Sequence, residues 1–181
     1  MRAQVDNKIL FSGPPGAGKT TAIGALSDIP VVSTEARASD ETAKLKERTT
    51  VAMDYGQIRL DDNEVVHLYG TPGQARFGFM LPILTRGAIG LVMLASARSE
   101  TVFEELERFT TAFKGFMRTH EAVIGITRLD QGGDAGIDPF RRHVRSLGVN
   151  APVMAMDTRA ADDVRQAVTT LLTLVQHPKG R

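Results

Sequence analysis

The run Gly13-Pro14-Pro15-Gly16-Ala17-Gly18-Lys19-Thr20 follows the apolar segment Lys8 to Ser12 without a break and matches the G-x-x-x-x-G-K-[ST] pattern of phosphate-binding loops. The pattern requires a strand before it and a helix after it, and the helical pattern from Thr20 to Leu26 meets the second condition. Successive backbone N–H groups from Gly16 to Thr20 can then converge on a phosphate where the new helix adds positive potential. Lys19 is expected to reach the β- and γ-phosphates, and the Thr20 hydroxyl to hold Mg²⁺. Gly13, Gly16, Ala17, Gly18 and Thr21 complete the expected cradle. The two prolines precede the donors, so their missing N–H groups cost nothing there, while their fixed φ stiffens the loop. A plain strand-to-helix turn would also need glycines for positive φ. The flanking strand and helix favour the phosphate reading.

With 181 residues, 42% hydrophobic and 24% charged, the chain can build one full core, and a single domain over 1–181 is expected. Net charge is +1 with both signs interspersed, so neither nucleic acid nor an anionic membrane is an expected partner. The densest basic cluster, Arg141-Arg142-His143 with Arg145, reads as a solvated helix face. Absence of cysteine excludes disulfides and thiolate metal sites and agrees with a reducing cytoplasm. No apolar stretch approaches a membrane span, and the start lacks the pattern of a signal peptide. Arg2 and the Pro178-Lys179-Gly180-Arg181 end provide neither a myristoylation signal nor a C-a-a-X box, so no lipid anchor is expected.

Strand-like runs alternate with helix-periodic segments, the pattern of a largely parallel α/β sheet with helices on both faces. Six strands are predicted: Ile9 to Phe11, Val51 to Leu60, Val65 to Tyr69, Ala88 to Ala95, Ala122 to Ile126 and Val153 to Met156. Asp61-Asp62-Asn63 is too short for a crossover helix, so the second and third strands should pair antiparallel, giving one antiparallel edge strand. Between Thr101 and Arg118, Val102, Phe103, Leu106, Phe109, Phe113, Phe116 and Met117 form one helical stripe, with Thr101 and Glu104 as a capping box. A last helix is expected over about Asp162 to Gln176, with Pro178 as its stop. Asp28 to Thr50 shows no clear core face, which in a domain of this size usually marks a functional or mobile segment.

The order of motifs resembles the Ras-like small GTPases of the P-loop superfamily, and within them the bacterial branch related to the MglA polarity and gliding GTPases. Thr50-Val51-Ala52-Met53-Asp54-Tyr55 is similar to the end of switch I in Rab-type proteins. The resemblance implies that Thr50 closes over Mg²⁺ and the γ-phosphate, with Thr49 as the alternative. Gly70-Thr71-Pro72-Gly73-Gln74 resembles switch II, D-x-x-G-Q, with Gly73 donating to the γ-phosphate and Gln74 orienting the attacking water. Gly70 replaces the usual aspartate that holds Mg²⁺ through water, and Asp54 can compensate only if it points inward. Thr127-Arg128-Leu129-Asp130 resembles the guanine-reading N-K-x-D: Asp130 accepts from guanine N1–H and the exocyclic amine, and Arg128 covers base and ribose. Thr127 replaces an asparagine whose amide braces the phosphate loop, so that brace is expected to be lost. Asp157-Thr158-Arg159 stands where the family carries Ser-Ala-Lys, and a backbone N–H near Thr158 would meet guanine O6.

GTP hydrolysis is chiefly positioning and charge neutralisation, and an arginine on the transferring phosphoryl group is worth about 10³ to 10⁵ in rate. Arg48 is the candidate finger in cis, and Arg76 is assigned to packing or partner contact. Without such a finger, turnover should be slow and accelerated by a partner. Kinship implies effectors or an activating protein on the switches, of the roadblock-domain type. The expected function is a cytoplasmic regulatory GTPase using GTP/GDP and Mg²⁺. The alternatives are a nucleotide-binding scaffold with little hydrolysis and, from the Gly-Pro-Pro-Gly-Ala-Gly-Lys loop, a small-molecule kinase. Neither an Arg-rich lid nor an Asp-x-Asp acceptor pattern supports the kinase.

Overall fold

Strand β1 (Asn7–Ser12) becomes fully buried along its length, and its alternate residues serve two separate cores. Ile9 and Phe11 pack on one face of the sheet with α1 (Lys19–Leu26) and α6 (Ala161–Gln176). Leu10 packs on the other with α3 (Val102–Ala112) and α5 (Asp138–Ser146). β5 (Ala88–Ser96) divides in the same way, Val92 and Leu94 on one side, Leu91, Met93 and Ala95 on the other. Continuous apolar runs of this kind suit a parallel strand covered on both faces. The computed structural model describes residues 7–33, 53–60, 64–73, 80–131 and 136–177. Arg48, Thr49, Thr50, Gln74 and Arg76, together with the 61–63 turn and Pro178, lie outside these residues.

The remaining strands are β2 (Val32–Ser33), β3 (Asp54–Arg59), β4 (Val65–Gly70), β6 (Glu121–Thr127) and β7 (Val153–Met156), and the sheet runs β2-β3-β4-β1-β5-β6-β7. Five neighbouring strands from β4 to β7 are mutually parallel. β3 pairs antiparallel with β4, as the short connection requires. Among the described residues the predicted six strands become seven, because β2 adds antiparallel to the outer side of β3 through only two residue pairs. The antiparallel strand is therefore second from the edge. Both β2 residues are exposed, so no apolar alternation announces them.

The predicted helix over Thr101 to Arg118 forms in two pieces, α3 and α4 (Lys114–Met117), parted at Phe113. Val102, Leu106, Phe109 and Phe113 are buried, whereas Phe103 is exposed at the surface, stacked 5.2 Å from Phe140 of α5. The capping box does not form. Thr101 lies at φ −108°, ψ 23°, outside the extended region a capping residue adopts, and Glu105 rather than Glu104 turns back to accept from Ser99 and Thr101 at 3.1 and 3.3 Å. In α6, Val164, Ala167, Val168 and Leu171 are buried, and full burial of Val164 and Leu171 stabilises by about 1.5–3 kcal/mol each. Leu171 lies directly over Gly90, where a Cβ would meet its Cδ1 at 2.8 Å, so a glycine in β5 sets how closely α6 packs. Among the described residues no helix is long and apolar enough to cross a membrane.

Candidate nucleotide site

β1 sits between β4 and β5, and successive crossovers leave it in opposite directions, so a crevice opens beyond its carboxyl end. The glycine-rich loop fills that position. Gly13 has φ 140°, and a Cβ there would lie 2.1 Å from the Leu94 carbonyl oxygen, which ties the loop against the backbone of β5. Gly18, at φ 101°, occupies the residue before α1 in the left-handed region that favours glycine. Lys19 opens α1, is nearly buried, and curls its ammonium back onto the loop, donating to the Gly13 and Pro14 carbonyl oxygens at 2.8 Å each. The lysine, the loop amides and the start of α1 thus converge, the arrangement suited to a phosphate group.

The next residue, Thr20, donates its hydroxyl to Asp54 Oδ2 at 2.5 Å. Asp54 opens β3, is 8% exposed, and pairs across the ladder with Gly70. It points inward. A Cβ on Gly70 would stand 3.0 Å from Asp54 Cβ and 3.2 Å from Oδ2, so the carboxylate takes up the space that a side chain at position 70 would need. The other oxygen, Oδ1, is buried and has no hydrogen-bond partner. An incompletely satisfied buried carboxylate is unfavourable by itself and suits a cation. A hydroxyl and a carboxylate oxygen are hard ligands that fit Mg²⁺, which keeps its other positions for water and phosphate. Among the described residues no group of three His, Asp or Glu could hold a metal by itself.

Beyond β4 the chain crosses the loop. A Cβ on Gly73 would lie 2.5 Å from Pro15 N and 2.9 Å from Lys19 Nζ, so only glycine permits the approach. Thr71 holds this segment in place: its N–H donates to the Phe11 carbonyl oxygen and its hydroxyl to Ser12 Oγ, both at 2.8 Å. The Ser12–Thr71 clamp was not foreseen, since neither residue type is distinctive until β1 and β4 are known to be neighbours.

On the far side of β1, Thr127 ends β6 and is buried, with its hydroxyl donating to the Ala17 carbonyl oxygen at 3.1 Å and to that of Ala95 at 3.3 Å. The brace expected to vanish with the asparagine amide is therefore kept by a hydroxyl. Arg128 follows at φ 54°, an uncommon conformation for a residue with a side chain, and leads into a 3₁₀ turn, Leu129–Gln131, that carries Asp130 exposed. Thr158, after β7, is nearly buried, and its Oγ1 is 2.8 Å from where a Gly18 Cβ would be. Next to it, hydrogen bonds from the Arg159 side chain and then its backbone N–H hold the Asp157 carboxyl down at about 2. Gly13, Gly16, Ala17, Gly18, Lys19, Thr20 and Thr21, then Gly73, Thr127, Arg128, Asp130 and Thr158, all lie at or just after the carboxyl ends of the parallel strands β1, β4, β6 and β7.

Over 96% of its length the chain matches the cytosolic domain of the T. maritima FeoB iron transporter in a GDP form, with TM-score 0.67 at 17% identity. The GMPPNP form of that domain matches over 97% with TM-score 0.64 at 16% identity. The chain shares the fold of that cytosolic domain. In sequence, 100 residues are 33% identical to an uncharacterized protein of Methanocaldococcus jannaschii, and 119 residues are 24% identical to the Ras-related protein Rab-18 of Lymnaea stagnalis. These alignments cover 54% and 64% of the chain, and it spans about half the length of both relatives, 56% and 53%. It covers 65% and 66% of the two FeoB chains. No protein-family model matches the sequence.

Proposed function

We propose that residues 1–181 form one regulatory GTPase domain that binds GTP and GDP with Mg²⁺, hydrolyses GTP to GDP and phosphate, and exchanges partners between the two states. The observation that carries this reading is the close approach of Gly73 to Lys19, with the Asp54–Thr20 pair beside it. A loop that merely binds phosphate has no need of a second segment against its lysine. A device that distinguishes three phosphates from two does, because the Gly73 N–H can donate only to a terminal phosphate. Mg²⁺ would be held by Thr20 and Asp54, with Thr50 from switch I, and would neutralise charge between the terminal phosphates. Lys19 neutralises charge on the same oxygens, Gln74 orients water, and Arg48 serves as the cis finger.

Asp130 supplies the preference for guanine, with Arg128 over the base and a backbone N–H near Thr158 toward O6. The glycine at position 70 supports placement in the MglA-related bacterial branch, and with it a cytoplasmic location and a roadblock-domain partner on the switches. Equilibrium binding of GDP, GTP, ADP and ATP with and without Mg²⁺, followed by a hydrolysis time course, tests the reading. Preference for guanine with slow turnover is the expected result. Tight GTP without turnover makes the protein a scaffold, and ATP preference with transfer to an added acceptor makes it a kinase. Single-turnover hydrolysis by Arg48→Ala decides the finger: an unchanged rate with Gln74 intact removes Arg48 from the mechanism.

A further inference from the structure

Asp157 and Arg159 form a fork whose geometry exceeds what local stability requires. Arg159 donates from Nε to Asp157 Oδ1 at 2.9 Å and from Nη2 to Oδ2 at 2.8 Å, while its backbone N–H reaches Oδ1 at 3.0 Å. Asp157 is tied in turn to the first turn of α6, its N–H donating to Asp163 Oδ2 at 2.8 Å. Yet the Arg159 side chain is 73% exposed and that of Asp157 44%, and exposed pairs of this kind add little to stability. The fork orients a guanidinium. Two of its five N–H donors are used on Asp157, and three remain.

β6 and β7 are parallel neighbours in register from Ile124↔Val153 to Thr127↔Met156, so the turn carrying Asp130 and the turn carrying Arg159 rise side by side. The Asp130 carboxylate contributes to the raised proton affinity of Arg159, after the larger effect of Asp157. Guanine offers donors, N1–H and the amine, on one edge and acceptors, O6 and N7, on another, and arginine is the side chain that best matches O6 and N7 together. Thr127 has one hydroxyl proton, already directed at the Ala17 and Ala95 carbonyl oxygens, so the residue at the asparagine position has no donor left for that edge. Resting on the guanine reading above, we propose that Arg159 is a specificity residue that presents its remaining donors to the O6/N7 edge while Asp130 takes the N1/N2 edge. Adenine fails on both counts, since its 6-amine turns a donor toward the guanidinium.

The test is equilibrium binding of GDP, 7-deaza-GDP and 2,6-diaminopurine riboside diphosphate to the full chain and to its Arg159→Ala and Asp157→Asn variants. The 2,6-diaminopurine base keeps the 2-amine but carries an amine in place of O6. Arg159→Ala is expected to weaken GDP roughly ten- to hundred-fold, the range of a bidentate arginine–guanine contact, and to leave the diaminopurine nucleotide within about two-fold. 7-Deaza-GDP should lose less than GDP, and Asp157→Asn should give a smaller loss with the same order of ligands. A loss equal for all three nucleotides makes the fork purely structural and overturns the proposal, as does an unchanged GDP affinity in a chain that prefers GDP to ADP. If the unmodified chain shows no guanine preference at all, the guanine reading falls first and this inference with it.

Discussion

Replacing Asp54 by asparagine separates the cost of a buried carboxylate from its use. In the nucleotide-free protein the charge-assisted bond from Thr20 is worth about 1.5–3 kcal/mol, while the unpartnered Oδ1 costs about 1–3 kcal/mol. Asparagine keeps an acceptor for Thr20 and puts an unpartnered amide where Oδ1 stood, so only the charge assistance is lost and the variant should unfold within about 1–2 kcal/mol of the parent in urea. With Mg²⁺ present the balance changes, because loss of a group that holds or orients a metal ligand costs roughly ten- to hundred-fold in metal affinity. That factor is about 1.4–2.7 kcal/mol, visible only when metal and nucleotide are both bound. A fluorescent GDP analogue titrated at graded Mg²⁺, against an EDTA reference, measures it. The expected result is unaltered binding in EDTA and a Mg²⁺ midpoint displaced upward by one to two decades. An unchanged midpoint refutes the assignment of Asp54 to the metal. The reciprocal substitution sharpens the argument: Gly70→Asp sets a second carboxylate against the first, where even a Cβ would lie 3.0 Å from Asp54 Cβ, and should destabilise by at least the ~1–3 kcal/mol of overpacking. Combining it with Asp54→Gly should recover most of that loss.

Gly73→Ala should abolish the preference for GTP over GDP while leaving GDP affinity within a few-fold, because the added methyl meets Pro15 N at 2.5 Å; calorimetric titration of both nucleotides checks it. Thr127→Val removes the hydroxyl that reaches Ala17 and Ala95, leaving buried carbonyl oxygens a donor short, and should lower unfolding free energy by about 1–3 kcal/mol in denaturant melts. The Asp157 carboxyl should titrate near 2 by carbon-detected NMR and return toward its ordinary 3.8 in Arg159→Ala. Since the folded value is the depressed one, the fork's contribution is complete above 3.8 and disappears as pH falls through about 2.

The glycine-rich loop between β1 and α1 and the parallel core were legible because each is written in contiguous residues. Gly13 to Thr20 is a local pattern, and β1 and β5 carry unbroken apolar runs, Ile9 to Phe11 and Leu91 to Ala95, because both faces are covered there. The helix stripe of α6 follows from the same spacing rule. Local reading failed where a feature depended on a partner. The two residues of β2 exist as a strand only through β3, and the break at Phe113 and the use of Glu105 instead of Glu104 leave no mark in the residue spacing.

The chain alone determined the class of ligand cradle, the order of its stations and the residue types available to each. Tertiary structure decided which of those residues act together. Asp54 and Gly70 are sixteen positions apart and look unrelated in sequence, yet antiparallel register makes them partners, and a missing side chain on one strand becomes room for a carboxylate from the next. Thr127 lies 110 positions from Ala17, and only the adjacency of β1, β5 and β6 shows that a hydroxyl can do the bracing work of an amide. Hydrogen bonds act over about 3 Å, whereas sequence records only which groups exist. The sheet brings those groups within that distance.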